Sequence, residues 1–121
     1  MKYPIDAGVT HIEVAFANFD QWTLTVGVRA YKEQSVMGMV HVLFRGVRGF
    51  RYLDEGDMLQ YRFPRDCTKN YVQEIVDAYW SQQESNYGNI VSDGHKEYLI
   101  TGGNECICVL SGSEPVVVKD L

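Results

Sequence analysis

Residues 45–61, RGVRGFRYLDEGDMLQY, set Arg45, Arg48 and Arg51 at three-residue spacing and follow them with Asp54, Glu55 and Asp57. Phosphate binding is the first chemistry such a stretch suggests. It lacks the GxxxxGK[ST] pattern whose backbone cradles a phosphate, and it lacks GxGxxG. The adjacent acids also cancel the field of the arginines, which disfavours a nucleic-acid contact. Clustered carboxylates can perform acid–base work or hold Mg2+ when they converge in a cleft. Here they fall in DEGD, a turn composition in which charge is simply solvated. The remaining chemistry is recognition. Tyr52, Tyr61 and Phe63 flank the acids; the rings can anchor an interface while the carboxylates meet a basic partner. The predicted partner-binding residues are therefore Tyr52, Asp54, Glu55, Asp57 and Tyr61.

Other reactive residues carry less. Ser92, Asp93 and His95 stand together in SDGH, but a catalytic triad is assembled in space and needs no adjacency. No G-x-S-x-G elbow is present, and Asp93-Gly94 is a turn dipeptide. His41 sits among methionines, where a packed, hydrogen-bonded histidine is expected. Cys106 and Cys108 would share one face of a strand with their Cβ atoms about 7 Å apart, beyond easy disulfide reach. Three cysteines, with no second CxC, no CxxC and no paired histidines, predict reduced thiols buried in a core strand and no metal. No cofactor and no catalytic residue is expected.

The 121 residues carry sixteen acids against eleven Lys and Arg, a formal net charge of −5. That length predicts a single domain, residues 1–121, able to bury a core without disulfides or metal. The charge argues against a nucleic-acid partner and is compatible with a basic protein one. No apolar run reaches the length of a signal peptide or a membrane span, and the odd cysteine count agrees with a reducing compartment, so the expected location is cytoplasmic with no membrane partner.

The elements that would position the charged stretch emerge from periodicity. THIEVAFANF places Ile12, Val14 and Phe16 on one face, and WTLTVGVRA repeats the alternation with Trp22, Leu24, Val26 and Val28. Asn18 and Asp20 mark the turn of an antiparallel hairpin. VMGMVHVLF is apolar on both faces, the pattern of a central or covered strand. Gly46 and Gly49 mark a bulge or bend by which this strand leaves the sheet, after which Phe50, Tyr52 and Leu53 would cover the core edge. Next, Val72, Ile75, Val76, Tyr79 and Trp80 fall at helical spacing, predicting an amphipathic helix over about 69–83 with Thr68 as its N-cap. Residues 85–95 read as a loop. EYLITGGNECICVLS is a hairpin around Gly102-Gly103-Asn104. EPVVVKDL gives a short edge strand after Pro115. The predicted fold is α+β: a single, mainly antiparallel sheet in β-β-β-α-β-β-β order with one principal helix packed on one face.

GVRGFRYLDEGDMLQY, the helix-like segment carrying Trp80 and the closing EYLITGGNECICVLSGSEPVVV together resemble small bacterial immunity proteins of toxin–immunity systems, including those paired with contact-dependent growth-inhibition toxins. The resemblance covers residues 11–118 or so. It implies a cytoplasmic inhibitor that binds and neutralises a cognate toxin domain, in many such systems a basic nuclease, and no enzymatic activity. Two other readings stand beside it. One is a small-ligand-binding protein or enzyme with a site between helix and sheet, involving His41, His95 and an acid. The other is a homo-oligomer built through an exposed sheet edge.

Overall fold

A computed structural model describes residues 2–54, 69–75, 95–103 and 105–121. Nine strands make up the described chain: β1 (Lys2–Pro4), β2 (His11–Asp20), β3 (Thr23–Lys32), β4 (Ser35–Arg45), β5 (Val47–Asp54), β6 (Asn70–Ile75), β7 (Lys96–Gly102), β8 (Glu105–Ser111) and β9 (Val116–Asp120). They form a four-stranded sheet in the order β2-β3-β4-β9 and a five-stranded sheet in the order β1-β6-β7-β8-β5. Every pairing is antiparallel.

The alternation in β3 and β4 builds half of the core. Leu24, Val26, Val28 and Ala30 are fully buried, as are Val40, Val42 and Phe44, and they meet as cross-strand pairs such as Leu24↔Phe44 and Val26↔Val42. The second sheet contributes Tyr98, Ile100, Ile107 and Val109 to the same cluster, with the Phe44 and Tyr98 rings 5.6 Å apart. Burying side chains of this size stabilises by about 1.5–3 kcal/mol each. The expected β2–β3 hairpin, the both-faces-apolar β4 between β3 and β9, the β7–β8 hairpin and the edge position of β9 all agree with this arrangement.

Two sheets replace the single sheet predicted, and the α+β class does not hold: no helix occurs among the described residues. The segment expected to open the helix, Asn70–Ile75, is strand β6, pairing Gln73 with Leu99 and Ile75 with Glu97. The error has a physical origin. Val72 and Ile75 lie on opposite faces of a strand, yet both are buried because the five-stranded sheet is covered on both sides. Leu99, Cys106, Cys108 and Leu110 fill the face turned away from the Tyr98–Val109 cluster, and all are buried too. A strand buried on both faces loses its period of two and mimics a helical stripe. The β-prone Tyr71, Val72 and Ile75 then favour the ladder. Thr68, Val76, Tyr79, Trp80 and the predicted loop before His95 lie outside the described residues.

One long ribbon links the sheets. β4 runs into β5 across Gly46, whose φ of +69° turns the chain from one sheet into the other. The β5–β8 register then shifts between Val47 and Gly49, so both glycines mark the bend, as their positions suggested. The corner is pinned by Gly112 N–H donating to Gly46 O (3.1 Å) and by Ser111 Oγ donating to Arg45 O (3.0 Å).

Candidate functional site: the aromatic edge of β5

Beyond the corner, β5 is the last strand of its sheet among the described residues. Phe50 and Tyr52 stand opposite Val109 and Ile107, on the face directed toward the other sheet. The four-stranded sheet barely reaches this margin: Phe50 is 39% and Tyr52 58% exposed. Phe19 of β2 leans across, its ring 5.7 Å from that of Phe50, and it too is 45% exposed. The expectation that Phe50 and Tyr52 cover the core is thus corrected; Leu53, on the opposite face, is buried.

Trp22 completes the group. It lies in the two-residue turn between β2 and β3, where Gln21 and Trp22 have φ of 48° and 68°. Left-handed geometry at both positions matches the twist of a hairpin, but it is unfavourable for side chains other than Gly, Asn or Asp. Trp22 is nevertheless held there, 70% exposed. A bulky residue in this conformation motivates a functional hypothesis. Alternation assigns Trp22 to the buried face and the turn to Asn18 and Asp20; the structure places both of those residues within β2. Phe19, Trp22, Val47, Arg48, Gly49 and Phe50 line a shallow depression of about 380 Å3.

Charge gathers at the far end of the same edge. Asp54 stands opposite Glu105 in the ladder, and the Tyr52 hydroxyl donates to Glu105 Oε2. That bond, with the nearby Asp54 charge, raises the Tyr52 phenol above its ordinary range. Tyr52 and Asp54 are both exposed, and Glu105 lies between them, bonded to one and opposite the other. Sequence reasoning misses Glu105 because its cross-strand partner is set by the β5–β8 register, which no local pattern records. Glu55, Asp57 and Tyr61 lie outside the described residues.

His41 points outward from the four-stranded sheet between Gly27 and Val118 in neighbouring strands, with its ring against Phe16. His95 instead lies beside Gly112 at the corner. Among the described residues no group of three or more His, Cys, Asp or Glu could hold a metal, and no helix is long and apolar enough to cross a membrane. Cys106 and Cys108 are free and fully buried; contact with Cys106 and burial push the Cys108 thiol far up. With no helix in the described chain, the helix–sheet cleft of the enzyme reading is also missing there. No family model, curated protein or solved structure matches this chain.

Proposed function

We propose that this protein acts by binding another protein along the aromatic edge of β5, as a cytoplasmic immunity protein that neutralises a cognate toxin domain. The observation that supports this reading most is the exposure of Phe19, Trp22, Phe50 and Tyr52 at one margin, beside the Asp54–Glu105 pair. Large aromatics are the residues that anchor interfaces when they become desolvated. Leaving four of them together in water, one in strained backbone, favours an occupied margin over an idle one. The acids select a basic surface and accelerate its approach, in keeping with a formal net charge of −5.

The experiment takes the product of the neighbouring gene as the candidate toxin domain, co-expresses it with this protein and follows binding kinetics at two salt concentrations. Trp22→Ala and Tyr52→Ala should each speed dissociation, by about 2 kcal/mol for a central anchor. Asp54→Asn with Glu105→Gln should slow association and flatten its salt dependence, since rim charges act on encounter. Variants that bind and protect as well as the wild type would refute this interface. A wild type that neither binds nor protects would refute the immunity reading itself.

A further inference from the structure

We propose that the depression between Trp22 and Phe50 receives one side chain of a partner protein, an aromatic residue carried next to a carboxylate. The inference rests on this margin being a binding surface, and not on the partner being a toxin. The walls of the depression are rings. Phe19 and Phe50 stand 5.7 Å apart, Trp22 is 70% exposed, and all three line a hollow of about 380 Å3. Buried Val47 and Gly49, which has no side chain, add to the lining.

Arg48 supplies the sign. The β5–β8 ladder passes from Val47↔Ser111 to Gly49↔Leu110, so Arg48 is the extra residue of a bulge. Alternation does not assign such a residue to a face, and bulges re-aim the side chains they carry. Its place is read from the structure directly: Arg48 is exposed and lines the depression with the three aromatics. Among the described residues it makes no ion pair and lies over no ring. The other charges nearby face elsewhere. Asp20 and Arg45 flank Thr23 on the outer face of the four-stranded sheet, whereas Phe19 pairs with Leu24 on the inner one. Arg51 stands opposite Cys108, on the face of β5 away from Phe50.

A group of aromatic rings by itself attracts cations. A guanidinium at its border reverses that preference, because a cationic occupant meets like charge and a neutral one leaves the guanidinium unused. An aromatic group bearing a carboxylate satisfies both features. Its ring packs against Phe19, Trp22 and Phe50, and its oxygens accept charge-assisted hydrogen bonds from Arg48. The occupant belongs to a protein, since free ligands are held in clefts that bury most of their surface and this hollow is shallow. An anchor side chain is positioned by the rest of its own interface and needs no such enclosure.

The test is a titration of the isotope-labelled full chain, followed by nuclear magnetic resonance, with three probes that share one ring. They are N-acetylphenylalanine, an anion; its amide, which is neutral; and phenethylamine, a cation. The anion should shift the amide signals of Gly49 and Phe50 and the Trp22 indole, saturating in the millimolar range expected for so small a ligand. The neutral amide should bind about two- to fivefold more weakly, the yield of an exposed ion pair, and the amine more weakly still. Arg48→Gln should erase the advantage of the anion over the amide while leaving the amide's own binding unchanged. Arg48→Glu should place the amine ahead of the anion, and Trp22→Ala should remove the shifts for all three. Unchanged signals elsewhere in each variant show that its fold is retained. An anion that binds no better than the amide, a preference for the amine, an advantage that survives Arg48→Gln, or shifts absent from this margin would overturn the proposal. Protection from the candidate toxin by a chain that ignores all three probes would overturn this inference alone. Probe binding by a chain that neither binds that toxin nor protects would refute only the immunity reading.

Discussion

Tyr71→Phe tests how the sheets are tied together where the edges β1 and β9 approach. Tyr71 is fully buried in β6; its hydroxyl donates to Asp6 Oδ2 (2.8 Å) and accepts from Asp6 N–H (3.3 Å). Asp6 Oδ1 in turn accepts from Lys119 Nζ of β9 at 3.1 Å. One carboxylate therefore joins the five-stranded sheet to the outer strand of the four-stranded one. Removing the hydroxyl keeps the ring, so no cavity term enters. A hydrogen bond to a charged group is worth about 1.5–3 kcal/mol. The Asp6 side chain is 37% exposed, and water recovers part of that, so the expected loss is about 1–1.5 kcal/mol. The pH dependence has a definite sign. Hydrogen bonds from Tyr71 and Lys119 hold the Asp6 carboxyl below its ordinary range, while burial, with the Asp6 carboxylate adding to it and the Asp6 N–H opposing it, pushes the Tyr71 phenol up to about 12. A carboxyl lowered in the folded state stabilises above its unfolded pKa, and that contribution fades as pH falls through the folded value. The gap between wild type and variant should be full at pH 7 and shrink below about pH 4. Urea denaturation at both pH values measures it, with unchanged slope showing that the unfolded state is comparable. A gap below about 0.3 kcal/mol at pH 7, or one that persists undiminished in acid, would show that Asp6 does not act as this tie.

Two further outcomes are expected from the packing. In native protein, Cys106 and Cys108 should resist a thiol reagent, being buried with the Cys108 thiol pushed up; after unfolding without reductant, all three cysteines of the chain should react. Fewer than three, or tightly bound zinc by elemental analysis, would contradict the reduced, metal-free assignment. Gly102→Ala should destabilise by about 1–3 kcal/mol in chemical denaturation, because a Cβ there would meet Val14 N at 2.9 Å and Glu13 Cα at 3.0 Å, backbone atoms of β2 that cannot turn aside. A variant as stable as wild type would mean that β2 and the β7–β8 hairpin do not approach this closely.

Much of this chain is legible from its residues alone. Period-two alternation identifies β3 and its buried face, the apolar run of β4 announces a strand flanked on both sides, and Gly102-Gly103 marks the β7–β8 hairpin. The same local rules place Cys106 and Cys108 in a core strand and the last strand at an edge. These features depend on contacts between near neighbours or on which face of one strand is apolar, and sequence records both directly. Tertiary structure decided the rest. Whether Asn70–Ile75 became helix or strand depended on a sheet being covered on both faces, since that covering erased the periodicity that distinguishes them. Likewise, alternation pairs the apolar face of β5 with the interior side. Its Phe50 and Tyr52 are exposed because the opposing sheet ends at Phe19, and Trp22 joins them through a turn that lacks the residues which usually mark one. Alternation specifies the direction in which a side chain points. Only the assembled layers determine whether anything stands there to meet it.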